Sequence, residues 1–180
     1  LNVEWGIERW VRAWDLAATE GGGDYTVGAL LGRARDGRTV VADVVRGQWS
    51  AHDVRSLIAE TARTDPRGTV VVLPQDPGQA GKAQAQQYAA MLAGHHVVLE
   101  PQTGSKVVRA TGWAAQQQAG NVIVVDGPHR DALIAEHQAF DRGTHDDMVD
   151  ACSSAFNHLV DRSSQPVATK SYTSSPYGAR

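Results

Sequence analysis

Bulky and small side chains alternate over residues 9–17 (RWVRAWDLA), the period of a β-strand rather than of a helix. Two more strand-like runs follow, 25–34 (YTVGALLGRA) and 38–49 (RTVVADVVRGQW). Asp36-Gly37 between them is a strong hairpin signal, so a three-stranded antiparallel meander is expected at the start. The period then changes. Residues 50–64 read as a helix, with Ser50 as its cap and Val54, Leu57, Ile58 and Ala62 on one face. TVVVL at 69–73 is apolar throughout, the pattern of a strand covered on both sides. Further on, the pattern predicts a helix over 80–93 ending at Gly94, a short strand at 96–99, a helix over 106–119 ended by Gly120, and a buried strand at 121–125. Helices over about 129–140 and 145–161 complete this part. Residues 163–180 have no apolar period and are expected to form a flexible tail behind a single domain at 1–162.

Written in order, the elements are three antiparallel strands followed by strands alternating with helices. The expected product is an α/β domain with a mixed β-sheet and helices on both faces, the order of the ribonuclease H-like fold, which the family resemblance given below narrows to the resolvase type. A chain of 180 residues, 42% hydrophobic, is large enough to bury one sizeable core. No apolar run approaches the roughly 20 residues of a membrane span, and no signal peptide is visible. The chain starts at Leu1 and enters an ordered pattern almost at once, so it is expected to be part of a longer protein with the missing portion on the N-terminal side. Its single cysteine, Cys152, excludes an internal disulfide framework and a multi-cysteine zinc site, and reads as a small buried hydrophobe. A net charge of −3 excludes nucleic-acid binding by bulk positive charge. Any contact with DNA must be local or mediated by metal ions.

Candidate chemistry lies in the carboxylates. In the first strand Asp15 shares a face with Val11, Ala13 and Ala17, while Trp10, Trp14 and Leu16 point the other way. Both faces are read as largely apolar, so the strand is expected to be central and Asp15 substantially buried. An ionised carboxylate there costs several kcal/mol unless a cation or hydrogen-bond donors compensate it. Asp76 follows the buried strand in Leu73-Pro74-Gln75-Asp76-Pro77-Gly78, at a C-terminal strand edge where ligands gather in open sheets. Asp-Pro-Gly is equally ordinary turn chemistry. The third group is Thr144-His145-Asp146-Asp147-Met148-Val149-Asp150, where Thr144 and Asp147 also match a capping box, leaving Asp150 less well explained. Acids brought together from such places repel, and divalent cations with hard oxygen preferences, Mg²⁺ or Mn²⁺, relieve the repulsion. Two such ions about 3.5–4 Å apart suit the attacking and leaving oxygens of a phosphodiester.

The stretches RAWDLAATEGGGDYTVGALLG (12–32), LPQDPGQAGKAQA (73–85), PQTGSKVVRATGWAAQQQAGNV (101–122) and HDDMVDACSSAFNHL (145–159) resemble, in this order, the C-terminal nuclease domain of tailed-bacteriophage large terminases. The resemblance covers nearly the whole chain apart from the tail. It implies a metal-dependent endonuclease that cuts concatemeric viral double-stranded DNA during genome packaging, in the host cytoplasm at the procapsid portal. It further implies an N-terminal ATPase domain outside this chain, with the portal protein and the small terminase subunit as partners. By position it assigns Asp15, Asp76 and Asp147 as catalytic, and Asp15, Asp76, Asp146 and Asp147 as ligands of two Mg²⁺ or Mn²⁺ ions, Asp150 being the weaker candidate. Many relatives carry Glu where this chain has Asp76. Lys82, Lys106 and Arg109 are the candidates for phosphate contact, the latter two at a helix start after Thr103-Gly104-Ser105. The glycines of Gly21-Gly22-Gly23-Asp24-Tyr25-Thr26 suit close approach to DNA or a plain hairpin loop.

Three competing functions stay open at the level of sequence. One is a resolvase- or transposase-type nuclease on the same fold. Another is an actin-like phosphotransferase, given Asp15 and the glycine loop. The last is a catalytically silent module that docks on the portal or DNA. No Gly-x-x-x-x-Gly-Lys-Ser/Thr phosphate loop occurs in the chain, so it is not expected to power packaging itself. His145 reads as a neighbour of the metal or as a solvent-facing helix-start residue. The five tryptophans read as core or interface, with Trp5 and Trp10 as candidate contacts to the missing domain.

Overall fold

A computed structural model describes residues 6–17, 23–103, 105–140 and 142–161. The tail at 163–180, Trp5, Gly21, Gly22 and Gly104 lie outside the described residues. Three strands open the chain, β1 (Ile7–Asp15), β2 (Thr26–Ala34) and β3 (Thr39–Gly47). Helix α1 (Ala51–Thr64) then leads to β4 (Val70–Gln75), α2 (Gln79–Met91) and β5 (His96–Pro101). The remainder is α3 (Lys106–Gln118), β6 (Val122–Val124), α4 (Arg130–Ala139) and α5 (Asp147–Val160). The sheet runs β5-β4-β1-β2-β3-β6. β1–β2 and β2–β3 are antiparallel hairpins, whereas β4, β5 and β6 add in parallel. The meander, the crossovers and the mixed α/β architecture expected from the sequence are therefore all present.

Local chemistry explains the boundaries. At the β2–β3 turn Gly37 adopts φ of +90°, a conformation that side-chain-bearing residues avoid, and its N–H donates to the Ala34 carbonyl at 2.9 Å. Ser50 caps α1 by accepting from the Asp53 N–H, and Ser105 caps α3 by accepting from the Val108 N–H. Val70 to Leu73 are buried, as expected of a strand covered on both sides.

The two faces of the sheet carry separate cores. On one, Val11, Ala13, Val27, Leu31 and Val41 pack under Ala151, Cys152, Ala155 and Phe156 of α5. Trp113 of α3 joins this core, 5.7 Å ring to ring from Phe156, and its indole N–H donates to His137 of α4 at 2.9 Å. On the other face Trp14, Val71 and Leu73 pack with Val54 and Ile58 of α1 and with Tyr88 of α2. Cys152 is fully buried, consistent with a hydrophobic role. Trp10 is also spent inside the chain, 6% exposed against Leu30 and Ala42, so it is not available to a further domain. Among the described residues no helix is long and apolar enough to cross a membrane.

One feature departs from the apolar reading of β1. Arg12, 2% exposed, lies in the Trp10–Trp14 row. Its guanidinium donates to both carboxylate oxygens of Asp65 at 2.9 and 2.6 Å, to Asp43 at 2.9 Å and to the Gly28 carbonyl at 2.9 Å. β1 is thereby tied to β2, to β3 and to the residue that ends α1. Arg12→Met would leave the nearly inaccessible Asp65 carboxylate unpaired, an expected loss of about 3–5 kcal/mol. Asp65→Asn, which leaves Arg12 with Asp43 and the Gly28 carbonyl, is expected to cost roughly half as much. Urea denaturation of the three proteins measures both.

Candidate active site

The parallel register pairs Ala13 of β1 with Val72 of β4, so both strands leave the sheet at the same edge. Asp15, opposite Val27, is the last residue of β1. Asp76 follows the end of β4. Close approach of the turn after β4 to the first turn of α2 requires Gly81, because any Cβ there would collide with the Asp76 carbonyl oxygen. The two strand ends open onto a cleft of about 490 Å³ whose walls include Asp15, Asp76, Tyr88, Lys106 and Arg109. This is the carboxyl edge of parallel strands, the usual place for a ligand in an open sheet.

α5 brings the remaining acids. Ala151 and Ala155 are fully buried against the sheet, and their small side chains let the helix start come close to the end of β1. The capping box expected of Thr144 and Asp147 does not form. Asp146 is the cap residue and makes no side-chain cap bond. Instead Glu136 of α4 accepts from the Met148 and Val149 N–H groups at 2.6 and 3.3 Å. With the helix end satisfied from outside, the Asp147 carboxylate turns away and accepts from the Tyr25 N–H at 3.2 Å. Asp147 and Asp150 are both buried, at 3% and 8% exposure, and one helical turn apart.

The acids fall into two neighbouring groups. In the first, Lys106 at the start of α3 places its ammonium 2.8 Å from Asp146 and 2.7 Å from Asp150. Arg109 lies 3.7 Å from the other Asp150 oxygen, which is buried and makes no hydrogen bond. In the second, one oxygen each of Asp24 and Asp147 and a ring nitrogen of His145 lie within 4.8 Å of one another. His145 meets the Tyr25 ring edge-on at 5.1 Å between centroids, and the Arg46 guanidinium covers Tyr25 at 3.5 Å.

Electrostatics link Asp15 to both groups. Burial, then the charge of Asp150, push Asp15 up to about 7 against the pull of Lys106, and Asp147 and Asp146 add to the rise. Burial also raises Asp147, against the pull of the Tyr25 N–H, while Asp24 and Asp146 push it further up. Lys106, although partial desolvation works against it, is held above its ordinary value by hydrogen bonds to Asp146 and Asp150. The cluster thus has more negative charge than its own cations neutralise.

The residues singled out from sequence are placed unevenly. Asp15, Asp76, Lys106 and Arg109 line one cleft, and Asp146 reaches it through Lys106. Asp76 is exposed and Asp15 half-buried. Lys82 is exposed on α2, whose contribution to the wall is Gln84 and Tyr88. Lys106 and Arg109 both lie within ion-pair reach of Asp150, Lys106 with half of its side chain still exposed. Asp150, ranked below Asp147 from sequence, is the acid whose charge Asp15 feels most. Its three-residue spacing from Asp147 was the available signal, since that spacing puts both on one helix face. Asp24, Glu136 and Glu100 carried no such signal. Glu100 at the end of β5 accepts from Ser154 at 2.7 Å and pairs with His158 at 3.1 Å, fixing α5 over the sheet edge.

Comparison with known proteins gives the family. Among curated proteins, none matches this sequence. In structure the chain is similar to the large terminase nuclease from thermophilic phage G20c with bound zinc, at 21% identity and a TM-score of 0.65, over 83% of this chain and 80% of that one. It is also similar to the fowlpox virus resolvase in complex with Holliday junction DNA, at 13% identity and a TM-score of 0.52, over 84% and 99% of the two chains. A third is RuvC of T. thermophilus with a Holliday junction substrate, at 13% identity and 0.51, over 83% and 92%. These likenesses establish the ribonuclease H-like fold. Residues 12–159 match the model of the terminase RNaseH-like domain, and the chain belongs to that family.

Proposed function

We propose that this domain is the endonuclease of a phage large terminase, cutting concatemeric viral double-stranded DNA by two-metal phosphodiester hydrolysis. The observation that carries it is the meeting of Asp15, Asp76 and the acids of α5 at one sheet edge, with Asp15 pushed up to about 7 by burial and by Asp150. Hard oxygen donors in excess of their cations, and a buried Asp150 oxygen without a hydrogen bond, fit Mg²⁺ or Mn²⁺. Asp15, Asp146 and Asp150 would hold one ion, with Asp76 reaching in from the cleft wall. Asp147 would hold a second, with Asp24 and His145 beside it. Bound there, the ions would supply Lewis-acid stabilisation of the attacking and leaving oxygens. Asp15, at the end of a rigid central strand, fixes the position of the site, and Glu136 keeps the Asp147 carboxylate free to face it. Arg109 and Lys106, which line the cleft, would be the contacts for phosphate oxygens, positioning DNA without reading its sequence.

On this reading the domain works beside an ATPase domain, the portal protein and the small terminase subunit, in the host cytoplasm at the procapsid. With a net charge of −3 it is expected to grip DNA weakly alone. The expected test is nicking of supercoiled plasmid with Mn²⁺ or Mg²⁺. Asp15→Asn, Asp76→Asn, Asp147→Asn and Asp150→Asn should each lose about 100-fold or more with the circular dichroism spectrum unchanged. Variants that cut as fast as the parent would refute the mechanism, and a strong preference for four-way junctions over plasmid would favour a resolvase.

Asp15 also sets a pH dependence. Its folded-state value near 7 exceeds the ordinary 3.8, so protonation stabilises the metal-free fold below about pH 4, and that contribution is lost as the pH rises through 7. Ligation needs the carboxylate, so Mn²⁺ affinity measured calorimetrically should fall by about tenfold per pH unit below 7. Asp15→Asn should flatten the pH dependence of metal-free melting between 4 and 7. An unchanged slope would show that another group titrates.

A further inference from the structure

We propose that Lys106 is a resident stand-in for a divalent cation: its ammonium closes the acid cage between Asp146 and Asp150 and must withdraw before that position can take a metal ion. This rests on the acids being cation ligands and adds a gate to their loading. The ammonium bridges two carboxylates of one helix start, at 2.8 and 2.7 Å, as a shared cation would. Asp150 is 8% exposed, and a carboxylate that deeply buried is strongly destabilising without a partner. Lys106 supplies that partner.

The helix that carries Lys106 gives no other reason for a cation there. Lys106 is the first residue of α3, where the helix dipole disfavours positive charge. The type of cation also matters. An ammonium on a flexible stem is a compact point charge that changes partners easily, whereas a guanidinium forks onto a carboxylate and stays. Half of the Lys106 side chain is exposed, and it lines the same cleft as Asp15 and Asp76, so the stem has open space to swing into. Withdrawal would move one positive charge from the acids to the cleft, where a DNA phosphate would lie. Metal loading and phosphate attraction would thereby be coupled through one side chain.

The test is metal binding without DNA. Lys106→Met, which keeps the stem and removes the charge, should bind Mn²⁺ about fivefold tighter than the parent in calorimetry. Its metal-free melting temperature should fall below the parent's, and saturating Mn²⁺ should close the gap. In the parent, the ¹⁵N resonance of the Lys106 ammonium should shift on titration with Mg²⁺, a readout that needs no variant. Equal or weaker Mn²⁺ binding by Lys106→Met, or an ammonium resonance unmoved at saturation, would overturn the inference. The parent and Asp150→Asn separate this failure from that of the underlying reading. If the parent binds no Mn²⁺, the acids are not ligands. If the parent binds and Asp150→Asn does not, the ligand set stands and only the role of Lys106 falls.

Discussion

A carboxylate placed at the end of a strand with packed layers on both sides has two ways to exist at neutral pH. It can take a proton, or it can share its surroundings with positive charge. Asp15 stands between these states, because burial and the charge of Asp150 raise it to about 7 while Lys106 pulls it down. The rest of the edge is arranged around that balance. β4 runs parallel to β1 and delivers Asp76 to the same cleft, and α5 sets its acidic first turn over the end of β1. The buried ones, Asp147 and Asp150 with Asp15 beside them, are costly alone at this depth and worse together, since like charges in a low-dielectric pocket raise one another. Such a site is relieved either by protons, as the raised Asp15 allows, or by cations, and on the proposed function the cations are metal ions.

The scaffold that bears this load is stiff for identifiable reasons. Arg12 joins three strands and the end of α1 through a bidentate pair with Asp65, on the face of the sheet opposite Asp15. On the other face α5 lies close because Ala151, Cys152 and Ala155 are small, and Glu100 holds it through Ser154 and His158. The Glu136 cap has a less obvious consequence. A helix whose first N–H groups were met by its own Asp147 would have that carboxylate folded back on the backbone. Meeting them from α4 leaves Asp147 to bond Tyr25 and to stand beside Asp24 and His145.

Much of this was legible in the amino-acid order. Changes of hydrophobic period marked every strand and helix to within a few residues, and the alternation in RWVRAWDLA placed Asp15 on a buried strand. The same alternation hid Arg12, because a charged residue inside an apolar row is stable only with partners, and Asp43 and Asp65 are distant in sequence. Glu136 was invisible for the same reason. A capping box is a local pattern, whereas a cap delivered by a neighbouring helix exists only once the chain is packed. Trp10 shows the converse error, since a large aromatic near a chain end looks available until the neighbouring strand covers it.

The charges at the edge also bear on how DNA would arrive. Asp15, Asp76, Asp146, Asp147 and Asp150 gather there against Lys106 and Arg109, and both cations are engaged by Asp150. A phosphodiester brought to such a cleft meets net negative charge and finds its natural partners occupied, so it would be repelled. On the proposed function, cation loading would reverse that sign before the backbone enters, and phosphate binding would follow metal rather than precede it. An enzyme of this kind, joined to a motor that moves DNA past it, has reason to hold the backbone loosely until cutting is wanted. The excess of carboxylate that destabilises the free domain would then also keep it from nicking the genome in transit.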